Sequence, residues 1–164
     1  MTRLYWTTFK TDFGWVVLIG SEGKVVGVEL PRPTRRAAIE GIPADAEESY
    51  ERFGALPEQL KRYFAGERVT FDCDVEFDGL GSFERRILDE TRKIPYGRIT
   101  TYGSLASRTG RPRAARAVGN AMRKNPLPII IPCHRVLHAD GSLGGFAAGL
   151  EMKRRLLSLE GVEV

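Results

Sequence analysis

Two hydrophobic periods divide the chain. In VTFDCDVEFD the apolar residues Val69, Phe71, Cys73, Val75 and Phe77 alternate with Thr70, Asp72, Asp74, Glu76 and Asp78, the period-two pattern of a strand with one buried face. Earlier, WVVLIGSEGKVVGVEL sets two apolar runs around Ser21-Glu22-Gly23, which predicts a hairpin sharing a sheet with the strand at 69–77. Pro31 and Pro33 break the second run, and TRRAAIEGIPADAEE is expected to be a mobile connection. A helix is predicted from Pro57, whose fixed φ suits a first turn; it carries Leu60, Tyr63 and Phe64 inward and stops at Gly66. These elements make a small N-terminal α/β domain with an antiparallel sheet over residues 1–80, closed by Asp78-Gly79-Leu80-Gly81.

Residues 81–164 change to a helical period. Ser82 is expected to cap a helix on which Phe83, Ile87, Leu88, Thr91 and Ile94 recur at packing intervals, ended by Pro95-Tyr96-Gly97. Thr101 caps a short second helix, YGSLASRT, and Gly110 supplies its left-handed stop. A third, PRAARAVGNAMRK, starts at Pro112 and is broken by Asn125-Pro126. Two helices joined by a tight glycine-containing turn, the second strongly basic, predict a helix-turn-helix. On the third helix Ala115, Val118 and Met122 form one packing stripe, while Arg113, Arg116, Asn120 and Arg123 share another. Ala114, Ala115 and Ala117 keep that helix slim around Arg116. The last helix, LEMKRRLLSLEG, sets Leu150, Lys153, Leu156, Leu157 and Leu159 at packing intervals and ends at Gly161. The fold class expected is α+β, an α/β domain followed by a mainly helical one.

Charge sharpens the division. The net charge is +4, yet residues 1–80 hold 10 Lys+Arg against 14 Asp+Glu and residues 81–164 hold 15 against 7, so the halves carry −4 and +8. The second half is where an anionic partner would bind, since each neutralised phosphate of a nucleic acid releases counterions; a merely solvated surface is the competing reading. The longest apolar runs fall far short of the roughly 20 residues of a membrane span, and no signal-peptide pattern is visible. An intracellular, cytoplasmic protein is expected, at the nucleoid in a prokaryote. Two cysteines make a disulfide framework an unlikely design, and Cys73 reads as a small core hydrophobe on its strand.

Cys133 stands in different company. IIIPCHRVLHADG drives a thiol through three isoleucines and a proline and follows it with His134 and Arg135. Prolines at 126, 128 and 132 exclude a regular ladder strand and suggest a stiff, shaped segment. A thiol is nucleophilic as thiolate, and cationic neighbours lower its pKa, so His134 and Arg135 are candidate activators; a core thiol like Cys73 is the alternative. Cys133, His134 and His138 also cluster as a zinc motif would, but the spacing is wrong and Cys73 lies on a core strand, so no metal is expected and His138 reads as an exposed loop residue. Glu160, in the last turn of the final helix, opposes the helix dipole at a cost of roughly 0.3–1 kcal/mol. It is either a solvated carboxylate or the acid that orients His134 in a Glu-His-Cys relay.

PIIIPCHRV, preceded by AARAVGNAMRKNP and followed by GGFAAGLEMKRRLLSLEG, resembles the O6-alkylguanine-DNA alkyltransferases, also called methylated-DNA–protein-cysteine methyltransferases. The resemblance runs from about Ser82 to Gly161 and implies a ribonuclease-H-like N-terminal domain before a winged-helix-like C-terminal one. It implies irreversible, stoichiometric transfer of the alkyl group from O6 of guanine to Cys133, without a cofactor. His134 would be the base acting through a water and Glu160 its orienting partner. Asn125 would tie the recognition helix to the active segment, and Tyr102 would approach N3 of the target base and crowd its phosphate. Arg116 would fill the stack left by the flipped nucleotide, with Ala115, Arg113, Asn120 and Arg123 on the same DNA face. Val136, Phe146, Ala147, Ala148 and Gly149 match the pocket walls. Phe146 and Ala147 stand where relatives have tyrosine and serine, which removes hydroxyl contacts there.

The implied partner is double-stranded DNA containing O6-alkylguanine, docked by its minor groove onto a monomer that could also assemble cooperatively. The zinc that some relatives hold in the N-terminal domain has no ligands here, because residues 1–72 contain no cysteine or histidine. A non-catalytic lesion sensor or regulator with a structural thiol is the rival reading. A thiol hydrolase is a third, without a matching oxyanion arrangement.

Overall fold

The computed structural model describes residues 3–164. By contact density the chain divides into two compact units, one closing at Asp78 and the other opening at Gly79.

The first unit is built on a four-stranded sheet of order β3-β2-β1-β4. Strands β1 (Leu4–Thr11), β2 (Gly14–Ser21) and β3 (Lys24–Arg32) are antiparallel, and the two-residue β4 (Glu47–Glu48) runs parallel to β1. The hairpin expected at Ser21-Glu22-Gly23 forms with Glu22 at φ 51° and Gly23 at φ 80°, both left-handed, which matches the twist of the flanking strands. Pro31 stays inside β3, contrary to the expected break: β3 is the outer strand, and its register shifts between Trp15 and Val17 of β2, so no ladder donor is missed there. Strand β1 alternates, burying Tyr5, Thr7, Phe9 and Thr11.

The stretch expected to be a mobile connection instead forms α1 (Arg35–Ile39), capped by the Thr34 hydroxyl accepting from Ala37 N at 3.1 Å, and then β4. Helix α2 (Leu56–Phe64) buries Leu56, Leu60, Tyr63 and Phe64, and Phe64 packs on Phe13 with ring centroids 5.2 Å apart. Residues 69–77 keep their predicted alternation without becoming a ladder strand. Only Val75 bridges, in parallel, to Val25; the pair exchanges Val25 N to Asp74 O at 2.9 Å and Glu76 N to Val25 O at 3.0 Å. Cys73 is correspondingly half-buried, not a core residue.

The second unit is mainly helical. Helix α3 (Ser82–Arg92) buries Ile87, Leu88 and Thr91, and its N-cap is Gly81, with Ser82 already the first helical residue and no side-chain cap. A two-residue strand β5 (Thr100–Thr101) leads into α4 (Tyr102–Arg108), capped by the Thr101 hydroxyl accepting from Ser104 N at 3.0 Å. Gly110, at φ 80°, turns the chain towards α5 (Ala115–Arg123). That helix starts three residues later than expected, which leaves Arg113 in the preceding turn and takes it off the shared helical face. Strand β6 (Val136–Leu137) pairs in parallel with β5, and α6 (Leu150–Leu159) packs Leu157 against Leu137 and Leu143. No helix of the described residues is long and apolar enough to cross a membrane.

Candidate active site and nucleic-acid interface

The segment from Leu127 to Leu137 is buried almost throughout and is shaped by its prolines. Ile131 N returns to Leu127 O at 2.8 Å, and Cys133 N closes a tight turn around Pro132 onto Ile131 O at 2.8 Å. Ile129 sits at φ 75°, a left-handed conformation that a β-branched residue adopts only where its surroundings impose it. Asn125 is the clamp: its Nδ2 donates to Ile131 O and its Oδ1 accepts from Leu127 N, both at 2.9 Å. Cys133 then opens a single turn of 3-10 helix, Cys133–Arg135, which places the thiol, imidazole and guanidinium on successive sides of a buried turn.

Glu160 is the electrostatic centre. Its Oε2 accepts from His134 Nε2 at 2.6 Å and Arg135 Nη2 at 3.0 Å, and its Oε1 accepts from Arg135 Nε at 2.8 Å and Gly97 N at 3.0 Å. Against the cost of burial, the donors from His134 and Arg135 hold this carboxyl down at about 2. An anionic acceptor fixes the tautomer: His134 carries its proton on Nε2, and the ring's lone pair is on Nδ1. Burial holds the His134 pKa below its ordinary value, against the pull of Glu160. The same desolvation pushes the Cys133 thiol up, against Asn125 and Lys153. The expectation that Arg135 activates the thiol is therefore corrected. Its guanidinium is spent on Glu160 and on the Ile94 carbonyl, which accepts from Nη1 at 2.6 Å.

Tyr102, the first residue of α4, is buried, and burial followed by the neighbouring Cys133 raises its pKa. Gly144, at φ 71°, makes room for it, since a Cβ there would fall 2.5 Å from the Tyr102 hydroxyl. Beside it a cleft of about 350 Å³ is lined by Tyr102, Ala115, Arg116, Gly119, Arg123, His138 and Gly145. Arg116, Asn120 and Arg123 are exposed on α5, with Arg123 Nη1 donating to Asn120 Oδ1 at 2.8 Å. Val118 and Met122 are buried behind them, and Ala115 is half-buried. Arg113 is exposed but lies before the helix.

A model for the 6-O-methylguanine DNA methyltransferase ribonuclease-like domain matches residues 4–77, and one for the DNA-binding domain of the same proteins matches 82–162. The methylated-DNA–protein-cysteine methyltransferase of Methanosarcina acetivorans is 38% identical over 158 residues, 96% of this chain and 99% of that protein. The chain belongs to the methylated-DNA–protein-cysteine methyltransferase family. The enzyme of the same name from Mycolicibacterium paratuberculosis is 45% identical over 153 residues, 93% of this chain and 90% of that one. A crystal structure of Mycobacterium tuberculosis OGT in complex with DNA superposes with a TM-score of 0.82 at 35% identity, covering 95% of this chain and 92% of that one.

In this member of the methyltransferase family, sequence reasoning missed Lys153. Read as a packing position, it is fully buried, with 0% of its surface exposed. Its Nζ donates to Val136 O at 2.8 Å and to Leu143 O, and lies 3.5 Å from the Tyr102 hydroxyl. Burial pulls its pKa down to about 8. The only signal was a lysine at the i+3 position of an otherwise apolar stripe. Of the expected pocket walls, Val136 is buried, Phe146 is half-buried, and Ala147, Ala148 and Gly149 are exposed before α6. Gly145 is the residue this segment contributes to the lining of the cleft.

Proposed function

We propose that this chain repairs O6-alkylguanine in double-stranded DNA by transferring the alkyl group to Cys133, once per molecule, from a nucleotide extruded on the minor-groove side. What carries the reading is the buried Cys133–His134 turn locked onto an anionic Glu160 at 2.6 Å, in the same unit as an arginine-bearing helix. The thiol and the imidazole are both neutral in the resting protein, so thiolate forms as the reaction proceeds. The Cys133 proton passes towards His134 Nδ1 through a water, and Glu160 stabilises the resulting imidazolium. Sγ then bonds to the alkyl carbon as the C–O6 bond breaks, leaving thioether and guanine. Electron density gathered by the leaving purine is relieved by a proton from the Tyr102 hydroxyl to N3. The raised pKa of Tyr102 keeps that proton in place until the charge develops.

An O6 atom stacked in a duplex cannot meet Sγ in line, so extrusion must cost a few kcal/mol. Arg116 is exposed at the start of α5; in this reading it enters the vacated stack, and the small residues Ala115 and Gly119 let α5 approach a narrow groove. The chain acts without a cofactor in this scheme and as a monomer. Arg116→Ala should slow transfer from lesion duplex by roughly tenfold or more while leaving transfer from free O6-benzylguanine base near wild type, the loss corresponding to the unstacking cost it no longer offsets. Equal slowing on both substrates would overturn the extrusion role.

A further inference from the structure

His138, an exposed loop residue by its sequence, lines the cleft in the fold. Its backbone is pinned in the turn after β6: His138 N donates to Ser142 O and Gly141 N donates to His138 O, both at 3.0 Å. The exposed ring lies against Tyr102 with centroids 4.9 Å apart and a 49° tilt. It faces the same cleft as Arg116 and Arg123 of α5. The carboxylate of this turn, Asp140, is spent within the turn, accepting from Ser142 N at 2.9 Å and from Ser142 Oγ at 2.6 Å. The groups facing His138 are thus Arg116 and Arg123 from α5, Tyr102 from α4 with Lys153 of α6 behind it, and Asp140 beside it in sequence. The cleft lining contains two guanidinium groups and an imidazole and no carboxylate.

Resting on the function proposed above, we infer that His138 is a DNA-contact residue whose ring N–H donates to a phosphodiester flanking the extruded nucleotide, in the cleft it shares with Arg116. A rigid turn, an exposed ring steadied by Tyr102 and a wall of cations suit an anion better than the neutral base itself.

The test measures binding of unmodified duplex by fluorescence anisotropy, as a function of salt. Wild type should bind more tightly than His138→Ala, by roughly tenfold for one hydrogen bond to a charged phosphate. His138→Arg should keep the tight binding and, relative to His138→Ala, steepen the plot of log K against log salt by about 0.9, the release expected for one neutralised phosphate. Identical affinity for wild type and His138→Ala, or no gain in affinity and slope from arginine over alanine, would overturn the inference. Wild-type protein incubated with lesion duplex serves as the separate control: an unmodified Cys133 there refutes the alkyl-transfer reading, whereas transfer with unaltered binding in the alanine variant refutes only the role of His138.

Discussion

The two cysteine-bearing segments invite comparison, because each carries its thiol among apolar residues and they end in opposite situations. Around Cys73 every second residue is polar, and the segment lies along the sheet with one bridge, at Val75, its thiol half-buried. Around Cys133 the apolar run is unbroken, the prolines forbid a ladder, and the backbone is held by the Asn125 amide in a turn that includes a left-handed isoleucine. Alternation layers a chain between core and water, and nothing about it concentrates charge. An unbroken run with prolines buries a whole loop, and every polar group carried in with it needs a partner. For the Cys133 segment the shared partner is Glu160 at the end of the last helix: it accepts from both His134 and Arg135 and in turn needs both of them to remain a buried anion.

The sharpest way to break the contrast is to remove each thiol. Cys133→Ala should abolish transfer from lesion duplex while retaining lesion binding in a gel-shift assay. Cys73→Ala should leave one equivalent transferred per molecule, scored by intact mass. Next is the carboxylate. Glu160→Gln keeps the shape but loses the anion that favours imidazolium, so the transfer rate measured by quench-flow should fall by about 10²-fold or more. Glu160→Ala strands Arg135 and His134 in the interior and should cost about 3–5 kcal/mol in urea denaturation.

A third expectation follows from titration. The Glu160 carboxyl is held at about 2 in the folded chain against an ordinary 4.5, so its contribution is complete above the unfolded value and is lost as pH falls from there towards 2. Over that interval the folded protein should lose about 3 kcal/mol from this one group, and Glu160→Gln should flatten the acid limb of the stability curve. The smallest effect is steric. Gly144→Ala forces a left-handed alanine against the Tyr102 hydroxyl, and thermal denaturation should show a loss of about 1–2 kcal/mol from the backbone alone.

Much of this was legible in advance where one physical cause dominated. The hairpin at Ser21-Glu22-Gly23, the Thr101 cap and the Gly110 stop each depend on local conformational preference, and all three form. Glu160 stood out because it opposed a helix dipole, and the structure joins it to His134. Strand β1 carried no such mark, since its buried face alternates Tyr5 and Phe9 with Thr7 and Thr11, and buried threonines look polar in a sequence. Pro31 misled because an outer strand with a register shift tolerates what an inner one would not. The Ser82 cap and the start of the helix at Pro112 were each displaced, by one and three residues, where tertiary contacts decide a terminus. Arg135 misled differently: adjacency to Cys133 suggested activation, but its partner comes from 25 residues further along. Lys153 was hidden by the stripe it interrupts, because only the fold brings the carbonyls of Val136 and Leu143 to its amine.

The central claim is that Cys133 accepts an alkyl group from DNA, once. Incubating the protein with excess duplex carrying a single O6-methylguanine and measuring intact mass, then peptide mass, tests it most directly. The account predicts a gain of one CH₂ per molecule, confined to the peptide containing Cys133, with no further gain on longer incubation and with guanine restored in the DNA. Unmodified protein after complete exposure, or a methyl group on Cys73, would contradict it.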